Sequence, residues 1–145
     1  MSDAPSLPDA PMERLLAVMA RLRDRASGCP WDIAQDFATI APYTIEEAYE
    51  VADAIERNDL IGLKEELGDL LFQVVFHARM AEELGKFDFA GVARDLADKM
   101  VRRHPHVFAA AADIHDAEAQ TVAWEAQKAA ERAARQAGDQ ALLAL

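Results

Sequence analysis

The stretch DLIGLKEELGDLLFQVVFHARMAEEL, residues 59–84, decides the fold because it predicts one long helix. Apolar residues recur along it every three or four positions, which is the spacing of one helix face. Asp59 is a suitable capping residue at its start, and Gly85 ends it. The side chains predicted to lie on its inner face are Leu63, Leu67, Leu70, Leu71, Val74 and Val75.

The flanking segments have the same helical periodicity. Further helices are predicted over residues 11–25, 45–57, 89–104 and 116–137, and no segment alternates with the two-residue period of a strand. Thr44 is the predicted N-cap of the second helix, and Gly138 is predicted to stop the last one. The inward-facing residues of the fourth helix are predicted to be Val92, Leu96 and Met100.

These elements predict an all-α helical bundle, because only helices are available to cover one another's apolar faces. We expect a single domain over residues 11–138, since the chain has 145 residues and shows no internal repeat. Residues 1–10 are expected to form a disordered lead-in, and residues 139–145 a C-terminal tail.

The formal net charge of −11 narrows the possible partners. A uniform acidic excess disfavours binding to nucleic acid or to anionic membranes, and it suits a protein that recruits divalent cations. Cys29 is the single cysteine, so no internal disulfide indicates an oxidising compartment. We find neither a signal-peptide pattern nor an apolar run of membrane-spanning length. The expected location is the cytoplasm.

Two acidic clusters stand beside the predicted core. YTIEEAYE, residues 43–50, contributes Glu46, Glu47 and Glu50, and EELGD, residues 65–69, contributes Glu66 and Asp69. Residues three or four apart share a helix face, so each cluster presents its carboxylates together. A short break at residues 58–60 favours antiparallel packing of the two helices, which would make the clusters face each other.

Facing carboxylates repel one another unless a cation lies between them. Ligation by oxygen alone favours Mg²⁺, or Mn²⁺ as a substitute, over Zn²⁺. An alternative interpretation is structural: Thr44 and Glu47 have the spacing of a capping box, and acidic pairs three residues apart are common on exposed helices. Spacing alone leaves both interpretations open.

Four stretches resemble the MazG family of nucleoside triphosphate pyrophosphohydrolases: GCPWD, FATIAPYTIEEAYEVADAIE, ELGDLLFQVVFHARMAEE and RRHPHVF. The resemblance extends from about Met12 to Lys128. It implies an all-α fold, a homodimer or higher homo-oligomer with shared helices, and Mg²⁺-dependent cleavage of a nucleoside triphosphate to the monophosphate and pyrophosphate. Many members carry two tandem copies of the domain, and this chain resembles the first copy.

The resemblance also implies roles for individual residues. Family metal ligands correspond to Glu47, Glu50, Glu66 and Asp69, and Glu46 belongs to the same catalytic motif. The residues that family members place around the nucleotide correspond to Lys99, Arg103, Trp124 and Lys128. Without the resemblance, the basic residues would be interpreted as a solvated helix surface and Trp124 as a core residue.

Two other functions remain open from the sequence. A related all-α enzyme could act on dUTP or phosphoribosyl-ATP instead. The same fold could also be a non-catalytic helical module that binds a nucleotide or a protein. The family further implies a housekeeping role in the nucleotide pool.

Overall fold

The computed structural model describes residues 6–109 and 116–143. Within these ranges the chain forms α-helices and no strand, which confirms the predicted all-α class. No helix in these ranges is long and apolar enough to cross a membrane. The helices are α1 (Pro11–Leu22), α2 (Pro30–Ile33), α3 (Phe37–Glu56), α4 (Leu60–Glu83), α5 (Phe89–Arg103), α6 (Pro105–Phe108) and α7 (Ala117–Leu143).

The chain divides into two compact units, Met1–Val92 and Ala93–Leu145. The first contains α1 to α4 and the start of α5, and the second contains the rest of α5 with α6 and α7. The expectation of one domain over residues 11–138 stays a prediction. Half of the expected lead-in, residues 1–5, lies outside the described residues.

The core of the first unit is built where α1 and α3 pack on α4. Its fully buried members are Met19, Ile40, Val75 and Phe76, and Met80 is 4% exposed. Each fully buried aliphatic or aromatic side chain contributes about 1.5–3 kcal/mol to stability. The partly buried residues packed against this core are Met12, Leu15, Leu16, Phe72 and Phe89.

Arg23 attaches the loop after α1 to the end of α4. Its Nε and Nη2 atoms donate to the two carboxylate oxygens of Glu83 at 2.8 and 2.7 Å. Its Nη1 atom donates to the carbonyl oxygens of Asp32 and Gln35 at 2.6 and 3.2 Å. The guanidinium also lies 5.5 Å from the ring centre of Phe76. A planar guanidinium with five donors suits these simultaneous hydrogen bonds to a carboxylate and two carbonyl oxygens better than a lysine ammonium.

The prediction that Thr44 begins the second helix is wrong, because α3 starts at Phe37. Asp36 is the N-cap: its Oδ1 accepts from Thr39 N at 2.9 Å, while Asp36 N donates to Thr39 Oγ1 at 2.8 Å. This reciprocal box satisfies two donors that a helix start otherwise leaves unpaired. Pro42 lies inside α3 and is exposed, so the helix continues through it at the loss of one backbone hydrogen bond.

The prediction for α4 is confirmed within one residue at each end. Asp59 caps its start by accepting from Gly62 N at 2.9 Å. Gly85, directly after the C-cap Leu84, has a φ of +70°, a conformation that glycine adopts without strain. α4 packs mainly against α3, and the two helices run antiparallel, since Thr44 contacts His77 while Glu47 meets Glu66.

Several predicted burial and boundary assignments are corrected. Leu67, Leu71 and Val74 of α4 are 49%, 37% and 39% exposed, and Leu96 of α5 is 52% exposed. Helical periodicity identifies an apolar stripe but does not say which molecule covers it. Gly138 does not end the last helix, because α7 continues to Leu143. A single glycine costs only about 1 kcal/mol inside a helix, so neighbouring alanines suffice to carry the helix through it.

In the second unit, side chains of α7 contact the end of α5 and His104. Glu131 accepts hydrogen bonds from both Arg102 and Arg103, and Gln127 Nε2 donates to the carbonyl oxygen of Arg102 at 3.3 Å. One helical turn further along, the Trp124 ring meets the His104 ring edge-on at 5.2 Å. Polar contacts therefore make up much of this interface.

Candidate functional site

Three of the predicted carboxylates converge between α3 and α4. Glu47 projects from α3, and Glu66 and Asp69 project from α4. One carboxylate oxygen from each lies within 4.8 Å of the other two. Glu47 and Glu66 are half-buried and Asp69 is exposed, so the group lies at the edge of the helix pair. Three hard oxygen donors around one point fit a divalent cation such as Mg²⁺.

Partial burial and neighbouring like charges both act on the carboxylates of this group. Partial desolvation, followed by the charges of Asp69 and Glu66, raises the pKa of Glu47 above its ordinary value. Partial desolvation, followed by the charges of Glu50 and Asp69, raises the pKa of Glu66 as well, while Arg57 acts in the opposite sense. Proximity of like charges favours protonation, and a bound cation would reverse that preference.

The two other predicted acidic residues are placed differently. Glu50 is outside the group of three, yet its negative charge raises the pKa of both Glu47 and Glu66. Glu46 acts in the same sense on Glu47. Both side chains are exposed. The assignment of Glu50 as a ligand and of Glu46 as a catalytic residue stays a prediction.

A polar network that the sequence did not reveal lies next to the carboxylates. Thr44 Oγ1 donates to Gln73 Oε1 at 3.1 Å and lies 2.9 Å from His77 Nε2. Oγ1 also lies 3.4 Å from the carbonyl oxygen of Ile40, so the hydroxyl has three polar neighbours, and His77 Nε2 donates or accepts according to its tautomer. Burial lowers the pKa of His77, which keeps the ring neutral. Gln73 is only 7% exposed, and Phe37 stacks on His77.

This network fixes the register of the two helices that carry the acids. Asp69, Gln73 and His77 are spaced four apart and therefore share one side of α4. Two hydrogen bonds to a single hydroxyl on α3 hold that side against its partner helix. The signal in the sequence was a polar stripe, Asp69-x3-Gln73-x3-His77, running through an otherwise apolar helix.

The predicted nucleotide-facing residues all belong to the second unit. Lys99 and Arg103 are on α5, and Trp124 and Lys128 are on one face of α7. Arg103 donates through Nε and Nη2 to Glu131. Lys128 Nζ lies 3.3 Å from a carboxylate oxygen of Glu125. These roles toward a nucleotide stay predictions.

Glu131 is a central residue that sequence reasoning missed. It accepts from Arg102 at 3.1 Å and from Arg103, and these two arginines lower its pKa from 4.5 to about 2, with Arg103 the stronger influence. The spacing in the sequence does indicate its position. Glu131 follows Trp124 by seven residues and Lys128 by three, so all three lie on one helix face.

The chain is similar to known proteins in sequence and in structure. A model of the MazG nucleotide pyrophosphohydrolase domain matches residues 35–108, which include both acidic clusters. A crystal structure of a mazG-related protein from Thermotoga maritima is similar, with a TM-score of 0.64 and 30% sequence identity. The match covers 80% of this chain and 97% of that chain.

Curated relatives are more similar in sequence. A nucleoside triphosphate pyrophosphohydrolase of Escherichia coli (strain K12) is 57% identical over 122 residues, which is 84% of this chain and 46% of that protein. A nucleoside triphosphate pyrophosphohydrolase/pyrophosphatase MazG of Thermotoga maritima is 49% identical over 96 residues, or 66% of this chain and 37% of that protein. The chain thus spans less than half of these relatives' length.

The carboxylate group gives a first prediction, on metal binding. At pH 7, saturating Mg²⁺ should stabilise the protein against thermal unfolding, by about 2.7 kcal/mol at a concentration 100 times the dissociation constant. Asp69→Asn should be more stable than wild type in chelator, because one repelling charge is gone, and should gain little from Mg²⁺. Glu65→Gln is the matched control, since Glu65 is adjacent to Glu66 but outside the group. Equal Mg²⁺ gains in wild type and Asp69→Asn would contradict the site.

The Glu131 contacts give a second prediction, on acid stability. The pKa of Glu131 is lowered in the folded protein, so its contribution is complete above pH 4.5 and is lost as the pH falls toward about 2. Glu131→Gln should therefore unfold at lower urea concentrations than wild type near pH 7, and this difference should shrink below pH 4.5. Glu125→Gln, which removes an exposed ion pair, should have a small effect at every pH. If the difference in urea stability between Glu131→Gln and wild type did not change with pH, the charge of Glu131 would not be its cause.

Proposed function

Because the chain belongs to the MazG nucleotide pyrophosphohydrolase family, we propose that it hydrolyses nucleoside triphosphates to the monophosphate and pyrophosphate with the help of Mg²⁺. The proposal includes a housekeeping role in the cytoplasmic nucleotide pool. It extends to this chain the activity named for the Escherichia coli protein, of which the chain covers 46%.

The observation that carries the proposal is the convergence of Glu47, Glu66 and Asp69 within 4.8 Å. A helix surface has little structural use for three converging carboxylates, where the charge of Asp69 raises the pKa of both Glu47 and Glu66. Repulsion of this kind destabilises the folded chain, so its presence supports a site at which a cation compensates it. Glu50 is the proposed fourth ligand, because its charge acts on both Glu47 and Glu66.

The chemistry follows from the donor set. A bound Mg²⁺ supplies charge neutralisation at phosphate oxygens and a water of lowered pKa. The carboxylates of Glu47, Glu66 and Asp69 would hold and orient the ion, and Glu46 is proposed to orient the attacking water. The Thr44–Gln73–His77 network keeps α3 and α4 in register, so the three oxygens stay close before substrate arrives.

The positive charges proposed to meet the triphosphate are in the second unit. Arg103 uses Nε and Nη2 for Glu131, so its Nη1 group remains for a phosphate oxygen. Lys99 and Lys128 would act as point charges. Glu131 would hold the Arg103 plane in one orientation, which reduces the entropy lost when a phosphate binds.

A homodimer is part of the proposal. Along α4 the apolar side chains Leu60, Leu67 and Leu71 are 78%, 49% and 37% exposed, at spacings that place them on one helix face. On α3, Ile45 and Tyr49 are 61% and 71% exposed. A stripe of this size commonly marks an interface between protein chains.

The third prediction concerns turnover. Wild-type protein should release pyrophosphate from nucleoside triphosphates with Mg²⁺ present and should not do so in chelator. Glu66→Gln should lower kcat by at least about a hundredfold, because it removes one of the three converging carboxylates. Glu65→Gln should retain most of the activity. The substrate panel should include dUTP and phosphoribosyl-ATP, since a strong preference for either would assign the chain to that alternative.

Two outcomes of this assay would reject the proposal. If Glu66→Gln turned over substrate as fast as wild type, the cluster of Glu47, Glu66 and Asp69 would have no part in the mechanism. Absence of pyrophosphate release from every substrate, despite Mg²⁺-dependent stabilisation, would favour a non-catalytic binding module.

The fourth prediction concerns assembly. Light scattering at micromolar concentration should give at least twice the 15.9 kDa chain mass. Leu67→Glu should reduce the mass toward that of one chain, because it places a charge in the apolar stripe. Glu65→Lys, at an exposed position of α4 on another side of the helix, is the control. A monomeric wild-type protein would contradict the proposed dimer.

A further inference from the structure

A buried hydrogen bond joins α3 to α4 one helical turn away from the converging carboxylates. Gln73 is 7% exposed, and its Oε1 accepts from Thr44 Oγ1 at 3.1 Å. Glu47 follows Thr44 by three residues, and Asp69 precedes Gln73 by four. Residues at these spacings lie on the same side of their helices, so the Thr44–Gln73 bond and the carboxylates are on one side of the helix pair.

The distance between the two helices sets the opening of the carboxylate group. Glu47 is on α3, whereas Glu66 and Asp69 are both on α4. The separation of Glu47 from the other two acids therefore depends on how closely α3 lies to α4. A bond one turn from the acids limits that separation more directly than the apolar packing of Ile40 further along α3.

The polar pair adds precision of spacing rather than stability. Replacing both partners of a buried hydrogen bond by apolar groups of similar shape is often nearly neutral for stability. A hydrogen bond, however, holds its two heavy atoms within a narrow range of distance and angle, which apolar contact does not. A satisfied buried polar network thereby makes its surroundings rigid.

Rigid spacing matters most for ions that differ in size. Mg²⁺ binds oxygen at about 2.0–2.1 Å with strict octahedral geometry, whereas Ca²⁺ binds at about 2.3–2.6 Å with flexible geometry. Ligands on opposite sides of Ca²⁺ are thus up to about 1 Å further apart than those around Mg²⁺. A pair of helices held at fixed spacing discriminates between these ions, and a loosened pair accepts both.

We propose that Thr44 and Gln73 are positioning residues that determine which divalent cation the carboxylates accept. They touch neither the ion nor the substrate, and they act by holding Glu47 at a fixed distance from Glu66 and Asp69. This inference rests on the proposed function, because it requires a divalent cation among these acids. It adds a determinant of ion selectivity that lies outside the acidic clusters.

The experiment measures metal binding to the full chain without nucleotide. Dissociation constants for Mg²⁺ and Ca²⁺ are determined by calorimetry for wild type, for Thr44→Val and for the double variant Thr44→Val with Gln73→Leu. In the double variant, Mg²⁺ should bind about tenfold more weakly, because groups that orient metal ligands typically change affinity by about 10–100-fold. Ca²⁺ affinity should stay within about threefold, because its coordination is flexible.

Three comparisons distinguish positioning from a general loss of structure. The double variant should unfold at nearly the same urea concentration as wild type, because both hydrogen-bonding partners are replaced by apolar groups. Thr44→Ser keeps the hydroxyl and should retain the wild-type ratio of the two dissociation constants. Thr121→Val is the matched control, since Thr121 Oγ1 donates only within its own helix among the described contacts, to the carbonyl oxygen of Ala117 at 2.9 Å. It should leave the ratio unchanged.

The outcomes separate this inference from the proposed activity. An unchanged ratio in both Thr44→Val and the double variant, in a protein that releases pyrophosphate, would overturn the inference and leave the enzyme standing. Equal weakening of Mg²⁺ and Ca²⁺ binding would overturn it as well. A ratio that depends on Thr44 and Gln73, in a protein that releases no pyrophosphate, would support the inference and reject the enzyme. A wild-type protein that binds neither ion would reject both.

Discussion

The antiparallel packing of α3 on α4 is the constraint on which the candidate site depends. Burial of Ile40, Val75 and Phe76 supplies the favourable free energy, and that packing forces Glu47 toward Glu66 and Asp69. The hydrophobic effect is not directional, so it cannot set the register of two helices by itself. The hydrogen bonds of Thr44 to Gln73 and His77 are directional and provide that register.

Directional hydrogen bonds also link α5 to α7. Glu131 is held by two arginines, and their hydrogen bonds, that of Arg103 first, lower its pKa to about 2. The pairing keeps Arg103 in a defined orientation and leaves part of its guanidinium available. Acidic residues thus have opposite roles in the two units. In the first unit they bring like negative charges close together, and in the second Glu131 pairs with two arginines.

Local chemistry explains which parts of the fold could be predicted. The bounds of α4 followed from Asp59, which caps the helix with its own side chain, and from Gly85. The start of α3 did not, because Pro42 and Thr44 are both typical of helix beginnings. The reciprocal hydrogen bonds between Asp36 and Thr39 are also local, but they were overlooked in favour of those stronger signals.

The sequence by itself determined the all-α class, the long helix α4 and the placement of acidic residues three apart on two helix faces. Those features depend on periodicity and capping, which act over a few neighbouring residues. Only the tertiary structure decided that Glu47, Glu66 and Asp69 come within 4.8 Å while Glu50 stays outside that group. It also decided that Leu67 and Leu71 are exposed on the single chain. The reason is that burial, pairing and charge proximity depend on which helices meet and in what register, and residues far apart in the chain set that register.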